Sequence, residues 1–246
     1  MAVIGSAFLL SLVAGLATGL GGILVLLFRR FDMRIYDTLL GFAAGVMTAV
    51  ATLGLIHEAL TRGGTLVTLL GVVVGALALY LLDKRLPHEH EHLPFICTNH
   101  LEYRRGLLLM AAMTLHNVPE GLAIGTSYAA QPRLGLLLAL AIALHNIPEG
   151  IAVAGPFRAC GMPARRYLAW TLLSGMSEPL AALLGAFFVS LIGGLLPVSL
   201  AFAGGAMLYV VSDELIPESH SHGYEHQATF GFLAGFLVLL ALMRLI

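Results

Sequence analysis

Charged residues are scarce in this sequence. Asp, Glu, Lys and Arg fill 11% of its 246 positions, where a soluble globular domain carries about 25%. That shortage excludes a water-soluble enzyme or binding domain of the ordinary kind. Cysteine is scarcer still: Cys97 and Cys160 are the only two, both expected in loops, and they suggest no disulfide framework. A basic excess is missing too, because the formal net charge is −1, so no nucleic-acid partner is expected. Nothing basic precedes the first apolar run, which continues well past the short core of a signal peptide and therefore reads as retained.

What fills the chain instead is apolar: 59% of residues are hydrophobic. A helix needs about 20 apolar residues to cross roughly 30 Å of hydrocarbon. Eight such runs follow one another, at about 2–28, 38–60, 66–86, 106–130, 134–157, 164–192, 197–218 and 229–246. Nothing between them is long enough for a soluble domain, so residues 1–246 read as a single all-α integral membrane unit whose partner is the lipid bilayer.

The basic residues set the expected orientation, since short loops rich in Lys and Arg stay in the cytoplasm. Arg29, Arg30 and Arg34 lie between runs one and two; Lys84, Arg85, Arg104 and Arg105 between three and four; Arg158, Arg165 and Arg166 between five and six. The opposite side has only Arg62, Arg133 and Arg244. Both termini are therefore expected outside the cytoplasm, in a multi-pass protein of the cell (inner) membrane. The loop between runs seven and eight is placed by alternation alone.

Against this background, "LHNVPEGLAI" at 115–124 and "LHNIPEGIAV" at 144–153 stand out. His116, Asn117 and Glu120 fall near the middle of the fourth run, and His145, Asn146 and Glu149 near the middle of the fifth. At about 100° per residue, positions i, i+1 and i+4 share an arc of about 100°, so each helix presents imidazole, amide and carboxylate from one face. The short linker makes the two helices an antiparallel hairpin. Pro119 and Pro148 each free the carbonyl four residues back and are expected to break the helices, as at the ion sites of transporters. The plainer alternative is that the prolines kink packed helices and the polar groups bond one another. Ionisable groups at such depth are functional by default.

Two imidazoles with two carboxylates form a mixed nitrogen and oxygen set that suits zinc and its first-row neighbours, whereas calcium and magnesium prefer oxygen alone. Glu178, in "SGMSEP", and Asp213, Glu214, Glu218 and His220, in "SDELIPESH", add acidic groups in runs six and seven. A zinc-dependent integral-membrane hydrolase would also bury such residues, but it needs an open coordination position and a general base. No HExxH motif occurs within the apolar runs, and the near-symmetric pair suits passage better than attack on a bond. A metal sensor or receptor is a further alternative.

The paired HNxPEG motifs in the fourth and fifth of eight runs, with a histidine-rich loop at 87–105, resemble the ZIP (Zrt/Irt-like) family of metal transporters, and the bacterial GufA-like branch in particular. The resemblance implies a 3+2+3 arrangement with inverted flanking triplets and room for a homodimer. It also implies a mid-membrane, often binuclear site that passes divalent metal into the cytoplasm. By motif position, His116, Glu120, His145 and Glu149 match the first metal position, with Met47 as an added thioether. Asn117, Asn146 and Glu178 match the second, the two motif glutamates bridging both. Zinc is the expected cargo, with Fe2+, Mn2+, Co2+ and Cd2+ open. Asp213 departs from the histidine that relatives often carry before the glutamate.

The loops hold further histidines: His88, His90, His92 and His100, beside Cys97, and His220, His222 and His226. Capture or sensing of cytoplasmic metal by the first loop is expected; a solvated polar loop is the alternative. His57 and Glu58, at the outer end of the second run, are read as cation-attracting entrance residues. Gly15 with Gly19, and Gly71 with Gly75, form small-residue pairs that let helices approach. Such seams are compatible with one bundle sliding on another.

Overall fold

A computed structural model describes residues 2–27, 32–85 and 100–245, and among these every regular element is helical. The elements are α1 (Ala2–Val25), α2 (Met33–Ala49), a π segment (Val50–Ile56), α3 (His57–Asp83), α4 (His100–Ala130), α5 (Pro132–Ala159), α6 (Ala164–Gly175) and α7 (Ser177–Leu191). After a 3-10 turn (Gly193–Leu195) come α8 (Leu196–Val210), a second π segment (Val211–Leu215), α9 (Ile216–Ser219) and α10 (Glu225–Leu245). Seven helical stretches among the described residues are long and apolar enough to cross a membrane.

Local chemistry explains the joints. Asp32 caps α2 by accepting the Arg34 backbone N–H at 2.9 Å. Gln131 alone separates α4 from α5, and Pro132, which lacks the N–H that a first helical turn cannot use, starts α5. The stretch Met33–Asp83 runs for 51 residues but is interrupted at Gly64, whose φ of 75° and ψ of 176° lie outside the helical region and suit only glycine. Pro119 and Pro148 do not break their helices: α4 and α5 continue through both. The interruption falls instead at Met176, which separates α6 from α7 just before Glu178 and Pro179. There Pro179 cannot donate back to Gly175, so the ladder has already lost a bond.

The packing is inverted relative to a soluble protein. Large residues such as Leu9, Val13, Leu66, Leu69, Leu184 and Phe230 are exposed, while much of the interior is alanine, glycine and the polar site. A lipid solvent explains this, because large apolar side chains gain little by leaving it and close backbone approach takes over as the source of packing. The helices sort into two groups. One contains α1, α4, α5, α6 and α7; in the other, α2 packs on α10 and α3 on α8. The groups meet chiefly through α2 against α5 and α4 against α8.

The glycine pairs lie inside these groups. Gly15 meets the Gly175 backbone and Gly19 meets Leu172 within the first group; Gly71 meets Ala201 and Gly75 meets the Phe202 backbone within the second. Each pair therefore closes a seam inside its own group. Cys160 also departs from expectation, being disulfide-bonded; the chain's other cysteine, Cys97, lies outside the described residues. So do His88, His90 and His92 of the loop, Arg29, Arg30 and the side chain of His100.

Candidate metal centre

The two motifs face each other across α4 and α5. His116, Asn117, Glu120, His145, Asn146 and Glu149 are all buried. Glu120, His145 and Glu149 offer donor atoms that all lie within 4.8 Å of one another. His145 Nδ1 faces the Ala141 carbonyl at 3.2 Å. A carbonyl only accepts, so the neutral ring carries its proton on Nδ1 and its lone pair on Nε2. That lone pair points at Glu120 Oε1, 2.9 Å away, and lies 3.9 Å from Glu149 Oε1. At the shorter distance either a second ring proton or a metal cation can bridge the nitrogen and the carboxylate. Zinc holds nitrogen and oxygen ligands at about 2.0–2.2 Å, which accommodates these separations.

Each asparagine is aimed by its amide nitrogen. Asn117 Nδ2 donates to the Ser174 carbonyl at 2.7 Å, near the joint between α6 and α7. Asn146 Nδ2 donates to the Ala14 carbonyl of α1 at 2.9 Å and also to Glu178 Oε1. Both amide oxygens are thereby left buried without a partner. The same holds for Glu120 Oε2, Glu178 Oε2 and both oxygens of Glu149. Buried acceptors are nearly always satisfied, and six unsatisfied oxygens from five neighbouring motif and α7 residues form a ligand set in search of positive charge.

His116 is reached from the other helix group. Its Nδ1 lies 3.2 Å from Met113 Sδ, and its Nε2 lies 3.2 Å from Glu214 Oε2, within ion-pair distance but without hydrogen-bond alignment. Glu214 sits in the π segment Val211–Leu215, where the wider turn places one acidic side chain inward. Its neighbour Asp213 is exposed and accepts from Tyr209 OH at 3.2 Å. Single π turns of this kind are frequent at functional positions.

Met47 is fully buried in the apolar core near the end of α2. Glu58 pairs with Arg62, while His57 is exposed beside it. His220 Nδ1 is engaged by Ser219 Oγ and the Ile216 carbonyl, both at 2.9 Å, and its Nε2 lies 3.4 Å from Thr229 Oγ1, so it fastens α9 to α10. Glu218 accepts from Arg105 and Tyr36. Sequence reasoning missed the carbonyls of Ser174 and Ala14 as anchors, because nothing in a sequence marks which backbone oxygen a neighbouring helix presents. It also missed Asp37, a wholly buried carboxylate just outside the expected second run. Its signal was an Asp directly ahead of a long apolar run.

Comparison with known proteins agrees with this geometry. A family model described as ZIP Zinc transporter matches residues 98–243. Zinc transporter GufA of Myxococcus xanthus is 43% identical, covering 97% of this chain and 98% of its own length. Zinc transporter ZIPB of Bordetella bronchiseptica is 40% identical over 92% of this chain and 76% of its own, and Zinc transporter ZupT of Chlorobium chlorochromatii is 36% identical over 95% and 94%. These are transporters rather than enzymes, so the hydrolase alternative falls away. A multi-pass chain that buries two imidazoles among unsatisfied carboxylates, and that shares its length with such relatives, belongs to the ZIP family of metal-ion transporters.

Proposed function

We propose that this chain carries divalent transition-metal ions, zinc above all, into the cytoplasm through a binuclear site on α4, α5 and α7 at mid-membrane. His116, Glu120, His145 and Glu149 hold the first ion, with Met47 as an added thioether. Asn117, Asn146 and Glu178 hold the second, and Glu120 and Glu149 bridge the two. The observation that carries this reading is the buried cluster of Glu120, His145 and Glu149, whose donor atoms all lie within 4.8 Å of one another. The relatives named as zinc transporters support zinc as cargo; the ligand set also admits Fe2+, Mn2+, Co2+ and Cd2+.

The stretch Met33–Asp83 is read as two passes meeting near Gly64, because 51 residues of helix would reach about 76 Å across roughly 30 Å of hydrocarbon. That gives eight passes in a 3+2+3 order, with both termini outside an inner membrane by the distribution of basic residues. A homodimer is compatible with the apolar faces of α1, α3 and α7. Most of the ligand set belongs to one helix group, and Glu214 reaches His116 from the other. Glu214 and Asp213 are assigned to the exit, with Glu218 and His220 beyond them, and His57 and Glu58 to the entrance. His88, His90, His92 and His100 are assigned to capture or sensing of cytoplasmic metal.

Purified protein in sealed proteoliposomes should take up 65Zn2+ down a metal gradient, in amounts that scale with protein. Uptake equal to that of protein-free vesicles would refute the transport of zinc. Binding should also be acid-sensitive. Imidazole ligates only when neutral and ordinarily takes up its proton near pH 6.5, so protons and metal compete for the same nitrogen. Calorimetric Zn2+ affinity is expected to fall as pH drops from about 7.5 to 5; a flat profile would argue against ligation by His116 and His145.

A further inference from the structure

A second polar cluster lies apart from the centre just described, where α2 and α4 begin and α9 ends. Asp37 is wholly buried. Its Oδ1 accepts from His222 Nδ1 at 2.8 Å, and its Oδ2 is buried without a partner. A proton fixed on Nδ1 leaves the lone pair of His222 on Nε2. That lone pair faces Arg105 Nη2 at 2.6 Å. The same Nη2 is 2.7 Å from Glu218 Oε1, which also accepts from Tyr36 OH at 3.2 Å. His222 Nε2 and Glu218 Oε1 are themselves 4.0 Å apart.

One guanidinium nitrogen thus sits between an imidazole lone pair and a carboxylate oxygen 4.0 Å apart, a gap that must close by about 0.7 Å to reach the spacing of about 3.3 Å between two ligands that a tetrahedral zinc holds at about 2.0 Å each. A carboxylate behind a histidine, fixing its tautomer and raising its basicity, is the usual support of a metal-ligating imidazole. A cluster built only to tie helices together has no need of that arrangement, nor of an unpartnered carboxylate oxygen in a buried position. The Arg105 side chain is 37% exposed and long enough to swing into water.

We propose that His222 and Glu218, with Asp37 orienting the histidine, form a separate divalent-metal site at which an arriving transition-metal ion displaces the Arg105 guanidinium. The guanidinium acts as a tethered stand-in cation: it neutralises Glu218 when no metal is present and competes with metal when it is. Two protein ligands completed by water give weak, rapidly exchanging binding, which suits a release point better than a storage site. Arg105 stands on α4 in one helix group, and its partners stand in the other, so each exchange also breaks and remakes a link between the groups. The place of this site on a pathway rests on the transport reading; its capacity to bind metal does not.

The test uses the full chain in detergent with Glu120→Gln and Glu149→Gln together, which silences the central site. In that background Arg105→Gln is expected to raise the affinity of a remaining Zn2+ site at least tenfold by calorimetry, and Arg105→Lys, which keeps a cation, to raise it less. Adding His222→Ala should remove the gain. The loop histidines are the same in every variant and cancel. No gain from Arg105→Gln, or a gain that survives His222→Ala, would overturn the proposal. If Arg105→Gln does not elute as a folded species, His222→Ala with Arg105 intact should remove one weak Zn2+ equivalent, and no loss there overturns it as well. Flux by the unaltered chain tests the transport reading separately.

Discussion

Glu149→Gln is expected to reduce metal flux to that of protein-free vesicles while leaving the chain folded and inserted. Both Glu149 oxygens are buried without a hydrogen-bond partner, and the ion-pair contact of Oε1 with His145 Nε2 is a long one at 3.9 Å, so the side chain does little to hold the apo protein together. The amide has nearly the same shape, so packing survives. What changes is electrostatic: one of the charges that offset a divalent ion in a dry site is gone, and the new NH2 can donate to a neighbouring oxygen that metal would otherwise take. Losing one member of a buried charged pair costs about 3 kcal/mol, on the order of a hundredfold in affinity. Glu120→Gln should behave similarly, because Glu120 Oε1 faces His145 Nε2 at 2.9 Å.

The opposite sign should appear in stability. Two buried carboxylates repel, so the apo form of Glu149→Gln should melt higher than the unaltered chain and gain little from added Zn2+. Asn146→Ala should be milder for flux, since a neutral amide is the weaker ligand, but should loosen α5 from the Ala14 carbonyl. Unimpaired flux in a correctly inserted Glu149→Gln protein would refute the central site. Normal flux with a lowered melting point would make the residue structural.

The motifs on α4 and α5 were legible because they are local: i, i+1 and i+4 share a face on any helix, and the polar groups contrast with an apolar run. Glu178 was legible for the same reason. The membrane setting followed from composition alone. What depended on neighbouring backbone was not legible. The choice between Asp213 and Glu214 is made by a π turn, which no periodicity of 3.6 anticipates. The prolines were expected to interrupt α4 and α5, yet missing N–H groups are tolerated inside packed helices and the interruption sits at Met176. Asp37 escaped because a carboxylate at the edge of an apolar run normally marks the interface, and only the fold shows it buried against His222. The glycine pairs announced close approach correctly but not the partner, since a small residue carries no address.

That close approach carries the other large effect. Gly150 on α5 and Gly21 on α1 lie backbone against backbone: a methyl group placed on Gly150 would overlap the Thr18 carbonyl oxygen and come within 2.8 Å of its carbon, and one on Gly21 would overlap the Ile147 carbonyl oxygen. Neither obstacle is the free end of a side chain, so the helices must part. Gly150→Ala is therefore expected to cost about 3 kcal/mol through overpacking, visible as a lower melting temperature. Because the Ala14 carbonyl that aims Asn146 belongs to α1, Zn2+ binding should fall along with it. Gly155, one and a half turns further along α5, has nothing within 4 Å of such a methyl. Gly155→Ala should be neutral or stabilise by up to about 1 kcal/mol, as alanine does in a helix. The two variants add the same atom to the same helix, so a difference between them isolates the α1–α5 contact; equal melting temperatures would mean that these backbones do not touch.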